Sequence, residues 1–156
     1  MTIGCGGDGS RDLPGEIELE QYFPGLLEAP WRVTSPVGPQ YNCIAWAAGD
    51  STRWWWPSPT EMGYWPDQVP RRETIESFVA LFRFLGFEPC DSAMPEPDFE
   101  KIALYGKGSK PTHAARQLDT GLWTSKLGPL EDIEHALESL ESEIYGVVVQ
   151  VFRRQA

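Results

Sequence analysis

Two side chains in this sequence could together perform covalent chemistry, Cys43 and His113. A thiolate is a strong nucleophile, and an imidazole can take and return the proton that thiol chemistry has to move. Cys43 follows Asn42, a good helix cap, and opens the apolar run Ile44-Ala45-Trp46-Ala47-Ala48 before Gly49. A thiol at a first helical position meets unpaired N–H groups and the positive end of the helix dipole, which favour its ionised form. Of the two histidines, His113 follows Pro111-Thr112 at the start of a strand and is flanked by Ala114 and Ala115. Those small neighbours leave room for another element to pack close. The bland alternatives are a cysteine that only fills the core and a histidine satisfied at a strand end.

The elements that must position this pair follow from periodicity. An all-round apolar helix from Cys43 to Gly49 has to be buried. Arg71 to Leu85 reads as the longest helix, with Ile75, Phe78, Val79, Phe82 and Leu85 on one stripe and Gly86 as its stop. A short strand fits Trp31–Thr34, and the period changes after Asp98. Strands are expected at Glu100–Tyr105, Thr112–Leu118 and Leu122–Leu127, the last two joined by a turn at Asp119-Thr120-Gly121. Leu130–Leu140 reads as a helix with Ile133, Ala136, Leu137 and Leu140 on its apolar face. At about 100° per residue, His135 then falls on the solvated side. Tyr145–Phe152 reads as a closing strand in a buried position. Helices first and antiparallel strands afterwards define the α+β class.

Composition narrows the partners. A net charge of −10 argues against nucleic acid and against anionic membrane surfaces. No apolar run approaches the ~18 residues of a membrane span, and no signal-peptide layout is present, so a cytoplasmic protein is expected. Cys5, Cys43 and Cys90 have no metal-ligand spacing and cannot all pair, which fits free thiols in a reducing compartment. Neither a metal nor a cofactor is implied. Residues 1–20 read as a flexible, glycine-rich lead-in and 21–156 as one domain. The proline-rich loop holding Trp54, Trp55, Trp56 and Trp65 reads either as a cover over the cysteine helix or as the wall of a substrate groove. The acidic pairs Glu131/Asp132 and Glu138/Glu141 read as a solvated helix surface.

The run Asn42-Cys43-Ile44-Ala45-Trp46-Ala47, followed by Pro111-Thr112-His113-Ala114-Ala115 and then Trp123-Thr124-Ser125-Lys126, resembles the papain-like cysteine hydrolase superfamily. The likeness is to its compact NlpC/P60-like amidases and peptidases. Ser125-Lys126-Leu127-Gly128, His135 and Tyr145-Gly146 also resemble the tail of small papain-fold toxin and effector domains. The resemblance implies a papain-like fold, with the cysteine helix packed on an antiparallel sheet. It implies Cys43 as nucleophile, His113 as base and a polar residue on the next strand to orient the imidazole.

Under a three-residue turn Ser125 falls near Ala115 on the His113 side, and under a two-residue turn Lys126 does; Ser125 is the residue chosen for the third role, with Gln117 in reserve and a plain dyad as the other option. Asp119 is six residues from His113, about 20 Å along a strand, and too far. The Cys43 amide, with Gln40, Tyr41 or Asn42 just upstream, would serve the oxyanion. One departure is that Asn42 stands where peptidoglycan-cleaving members commonly carry Asp. The expected activity is therefore hydrolysis of an amide or peptide bond in a peptide or protein substrate, as by a cysteine protease or amidase. The alternatives are a deamidase or transglutaminase-type effector, or a non-catalytic papain-fold binding module using the Trp54–Trp56 loop.

Overall fold

The computed structural model describes residues 16–35, 40–59, 63–127 and 131–156. In chain order the elements are α1 (Glu16–Tyr22), β1 (Arg32–Ser35), α2 (Cys43–Ala47), α3 (Ile75–Phe84), β2 (Glu88–Cys90), β3 (Phe99–Lys107), β4 (Lys110–Gln117), β5 (Trp123–Lys126), β6 (Asp132–His135) and β7 (Val147–Gln155). Two 3-10 turns, Pro24–Glu28 and Leu137–Leu140, complete them. The strands form a seven-stranded sheet in the order β1-β6-β5-β4-β3-β7-β2, and every neighbouring pair is antiparallel. This is an α+β architecture, as the residue pattern predicts.

Each face of the sheet carries its own core, because successive side chains of a strand point to opposite faces. On the first face, Ile102, Leu104, Ala114 and Phe152 pack with Cys43, Ile44 and Ala45 of α2 and Phe78, Leu81 and Phe82 of α3. On the second face, Ala103, Tyr105, Ala115, Trp123 and Ile133 pack with Leu19 and Phe23 from α1 and its end, and with Leu26 and Leu140 from the 3-10 turns. Withdrawing Phe78, Leu81 and Phe82 fully from water contributes about 1.5–3 kcal/mol each, which is what holds α3 to the sheet.

Local chemistry fixes the helix bounds. The Asn42 side chain accepts from the Ala45 amide and caps α2 as expected. Gly49 closes that helix at a φ of +85°, a conformation open to glycine and strained for other residues. Helix α3 begins at Ile75 rather than Arg71, because the Thr74 hydroxyl accepts from the Ser77 amide and takes the cap. The lead-in expected to be flexible over residues 1–20 ends instead in α1, whose Leu19 is fully buried; residues 1–15 lie outside the described residues.

The largest correction concerns Leu130–Leu140. Asp132–His135 is a strand that pairs with β5 on one side and β1 on the other, and only Leu137–Leu140 is helical, as a single 3-10 turn. Asp132 and His135 are consequently buried, where a solvated helix surface was expected. Beyond the Gly86 stop, Glu88–Cys90 adds a short strand, β2, that pairs with β7. The closing strand does lie inside the sheet, between β3 and β2, but its Val147 and Val149 are exposed on one face.

Candidate functional site

Cys43 stands at the first residue of α2, fully buried, as the sequence implies. Its sulfur is disulfide-bonded, which corrects the expectation of free thiols; Cys90 is free and half-buried. A sulfur held in a disulfide is not a thiolate, so the helix dipole at this position has no anion to stabilise.

His113 is also fully buried, but it leaves the other face of the sheet. On β4, Ala114 joins the cluster that contains Cys43, and Arg116 donates to the Trp46 carbonyl of α2 at 3.1 Å. The alternate residues point away from α2. Ala115 belongs to the second core, and the His113 ring stacks on Tyr145 with centroids 4.1 Å apart and meets Tyr105 edge-on at 5.2 Å. The structure therefore does not bring Cys43 and His113 together, because their side chains lie on opposite sides of the sheet.

What it does bring together is His113, Ser125 and His135. Arg116 pairs with Thr124 and Gln117 with Trp123, the register of the three-residue turn, so Ser125 falls on the His113 side. Ser125 Oγ lies 2.9 Å from His113 Nε2 and 2.7 Å from His135 Nε2, while His135 Nδ1 lies 2.7 Å from the Ala136 carbonyl. A carbonyl only accepts, so His135 donates from Nδ1 and its Nε2 must accept. The Ser125 hydroxyl then donates to His135 Nε2 and accepts from His113 Nε2–H. Burial pulls His113 well below its ordinary pKa, helped by the nearby His135, and pushes His135 down to about 4. Both rings are neutral at pH 7, as this directional chain requires. All three side chains are fully buried, so the chain has no opening to a substrate.

The remaining residues singled out from the sequence have other occupations. Gln40 is exposed. Tyr41 donates to Asp132 Oδ2 at 2.8 Å and lies under the Lys126 ammonium at 5.0 Å. Burial, then the bond and charge of Asp132, push the Tyr41 phenol up to about 12, while burial pushes buried Lys126 down to about 8. Asn42 is consumed by its cap and by two bonds to the Trp55 backbone at 2.7 and 3.1 Å. Gln117 donates to the Ala93 carbonyl and does not orient His113. Trp55, Trp56 and Trp65 are buried, with their indole N–H groups donating to Asp50, Glu73 and the Pro70 carbonyl; Trp54 packs half-buried against the same core. The aromatic loop is thus a cover over α2 and α3.

An open concavity lies elsewhere. A cleft of about 690 Å³ runs between the C-terminal end of α2 and the ends of β3, β4 and β7, and none of the four tryptophans lines it. Arg116 reaches it from β4, and Asp98 and Asp119 stand at its lining. Arg116 is not among the residues singled out from the sequence. The signal was present in the alternation His113-Ala114-Ala115-Arg116, which sends the arginine to the face opposite the histidine.

The fold and site thus define an α+β domain with a disulfide-bonded helix, a sealed histidine–serine chain and a polar cleft. The chain belongs to a domain family of unknown function, DUF7689, whose pattern matches residues 32–153. No curated protein and no solved structure matches it. Among the described residues, no helix is long and apolar enough to cross a membrane.

Proposed function

We propose that this chain is a non-catalytic binding module built on a papain-like α+β scaffold, and that it binds through the cleft beside the C-terminal end of α2. The papain-like part of the reading is supported by element order. A capped cysteine helix packs against β4 and β5, the strands that carry His113 and Ser125. The binding part rests on one observation, that Cys43 and His113 depart from opposite faces of the sheet. Thiol hydrolysis needs base and nucleophile within hydrogen-bond reach, about 2.6–3.2 Å or one water apart. The geometry lends no support to that pairing, nor to the deamidase and acyltransferase variants that share it. The Trp54–Trp56 loop is not the contact surface in this reading, since Trp55 and Trp56 are buried with their indole N–H groups bonded to Asp50 and Glu73.

The test is native-state alkylation by iodoacetamide with peptide mapping, run beside a peptide-amide hydrolysis assay. The expected result is labelling at Cys90, none at Cys43 and no turnover, with or without reductant. Rapid selective labelling of Cys43 after reduction, together with turnover lost in Cys43→Ala, would overturn the proposal and restore the enzyme.

A further inference from the structure

We infer that the cleft takes a zwitterionic ligand of the amino-acid or short-peptide class, its carboxylate held by Arg116 and its ammonium by Asp98 and Asp119. The inference rests on the binding-module reading and supplies its ligand. Arg116 is half-buried, its guanidinium lies over the Trp46 ring at 4.3 Å, and Nη1 is committed to the Trp46 carbonyl. It forms no ion pair among the described residues, whereas the other cleft arginine, Arg154, is closed on Glu100 at 2.7 Å. An arginine fixed by a backbone carbonyl and an indole face, with its remaining N–H groups bonded to none of the described residues, is shaped to receive a planar carboxylate.

The opposite sign is offered in the same cleft. Glu96 and Glu100 are taken by Lys101, Arg153 and Arg154, but the exposed carboxylates of Asp98 and Asp119 have no partner among the described residues. Asp98 projects from a backbone with φ of +67°, at the start of β3, and Asp119 from the turn after β4. A simple anion approaching a chain of net charge −10 is repelled over a Debye length, whereas a ligand carrying both signs is not. Phe99, Pro97 and Leu118 add apolar wall for a side chain. A volume of about 690 Å³ is within the range of small-ligand sites and has room for a dipeptide.

The experiment is calorimetric titration of the whole chain with glycyl-phenylalanine, its C-terminal amide and its N-acetyl form, with amide chemical shifts mapped by NMR. Saturable binding of glycyl-phenylalanine with shifts confined to the cleft is expected. Amidation should weaken it about tenfold or more, the loss of a charge-assisted carboxylate clamp. Arg116→Gln should weaken the free acid to the same degree and leave the amide unaffected. Asp119→Asn, at an exposed position, should weaken only probes that keep the ammonium. Absence of binding at millimolar glycyl-phenylalanine, or equal binding of acid and amide, overturns the ligand class. In that event, cleft-confined shifts with neutral N-acetyl-phenylalaninamide leave the binding-module reading standing, whereas turnover of peptide amides by reduced protein removes both.

Discussion

Ser125 Oγ and His135 Nε2 share a buried hydrogen bond of 2.7 Å, and it joins two strands, β5 and β6, through side chains alone. Because the same hydroxyl also accepts from His113 Nε2–H on β4, one oxygen ties three neighbouring strands together. Ser125→Ala would leave an N–H and a ring nitrogen buried without that partner. We expect a loss of about 2–3 kcal/mol, read as a lower urea midpoint with unchanged slope. An unchanged midpoint would mean that the triad is not under tension to stay satisfied.

The two imidazoles also set a pH dependence. His135 falls from an ordinary 6.5 to about 4 in the folded chain, and His113 is lowered in the same direction. The unfolded chain therefore binds more protons between those values, and stability rises with pH there. The contribution is fully present above pH 6.5 and is lost as pH falls from 6.5 toward 4, amounting to about 3 kcal/mol for His135 alone. Urea midpoints measured from pH 7.5 to pH 4.5 should fall steadily, and His135→Gln should flatten the slope. A flat profile in the wild-type chain would contradict the buried neutral state.

Cys43→Ala removes a disulfide, and the expected cost is about 2–4 kcal/mol, seen as a lower melting temperature under non-reducing conditions. With reductant present the two chains should converge. A variant that melts with the unreduced wild type would deny the disulfide any stabilising part.

Asn42→Ala should cost about 2 kcal/mol, because one side chain caps α2 and also holds both the N–H and the carbonyl of Trp55. Loss of the aromatic cover should appear as a red-shifted tryptophan emission before global unfolding. A blue or unchanged spectrum with an unchanged midpoint would show that the loop is held by other contacts.

Gly146→Ala tests a close approach of two backbones. Gly146 has φ of +72°, and a Cβ there would come within 2.0 Å of the Gly106 carbonyl oxygen. Both strain and collision oppose the methyl group, and a loss exceeding about 2 kcal/mol is expected by chemical denaturation.

The sequence carried most of the sheet and little of the site's orientation. The capped helix at Cys43, the turn at Asp119–Gly121 and the placing of Ser125 beside His113 were legible, because caps, turns and strand registers are local chemistry. The face from which His113 departs was not. Whether His113 or Ala114 meets α2 depends on how β4 is presented to a helix far away in the chain, and one residue of slip reverses it. His135 was misplaced for a related reason. Ile133, Ala136, Leu137 and Leu140 fit a helical stripe, while Asp132–His135 alternates as a strand, and a run that short is decided by the neighbours β5 and β1. The disulfide at Cys43 was hidden because an odd number of cysteines admits several pairings.

The place of β7 in the sheet has a kinetic consequence. It pairs along its length with β3, roughly forty to fifty-five residues earlier, and among the described residues β2 joins the sheet through β7. The search that joins β3 to β7 closes a long loop before any pairing rewards it, which places this chain with slowly folding, millisecond-to-second topologies. Until that closure occurs β2 has no strand to join, so its docking should be the late event in refolding.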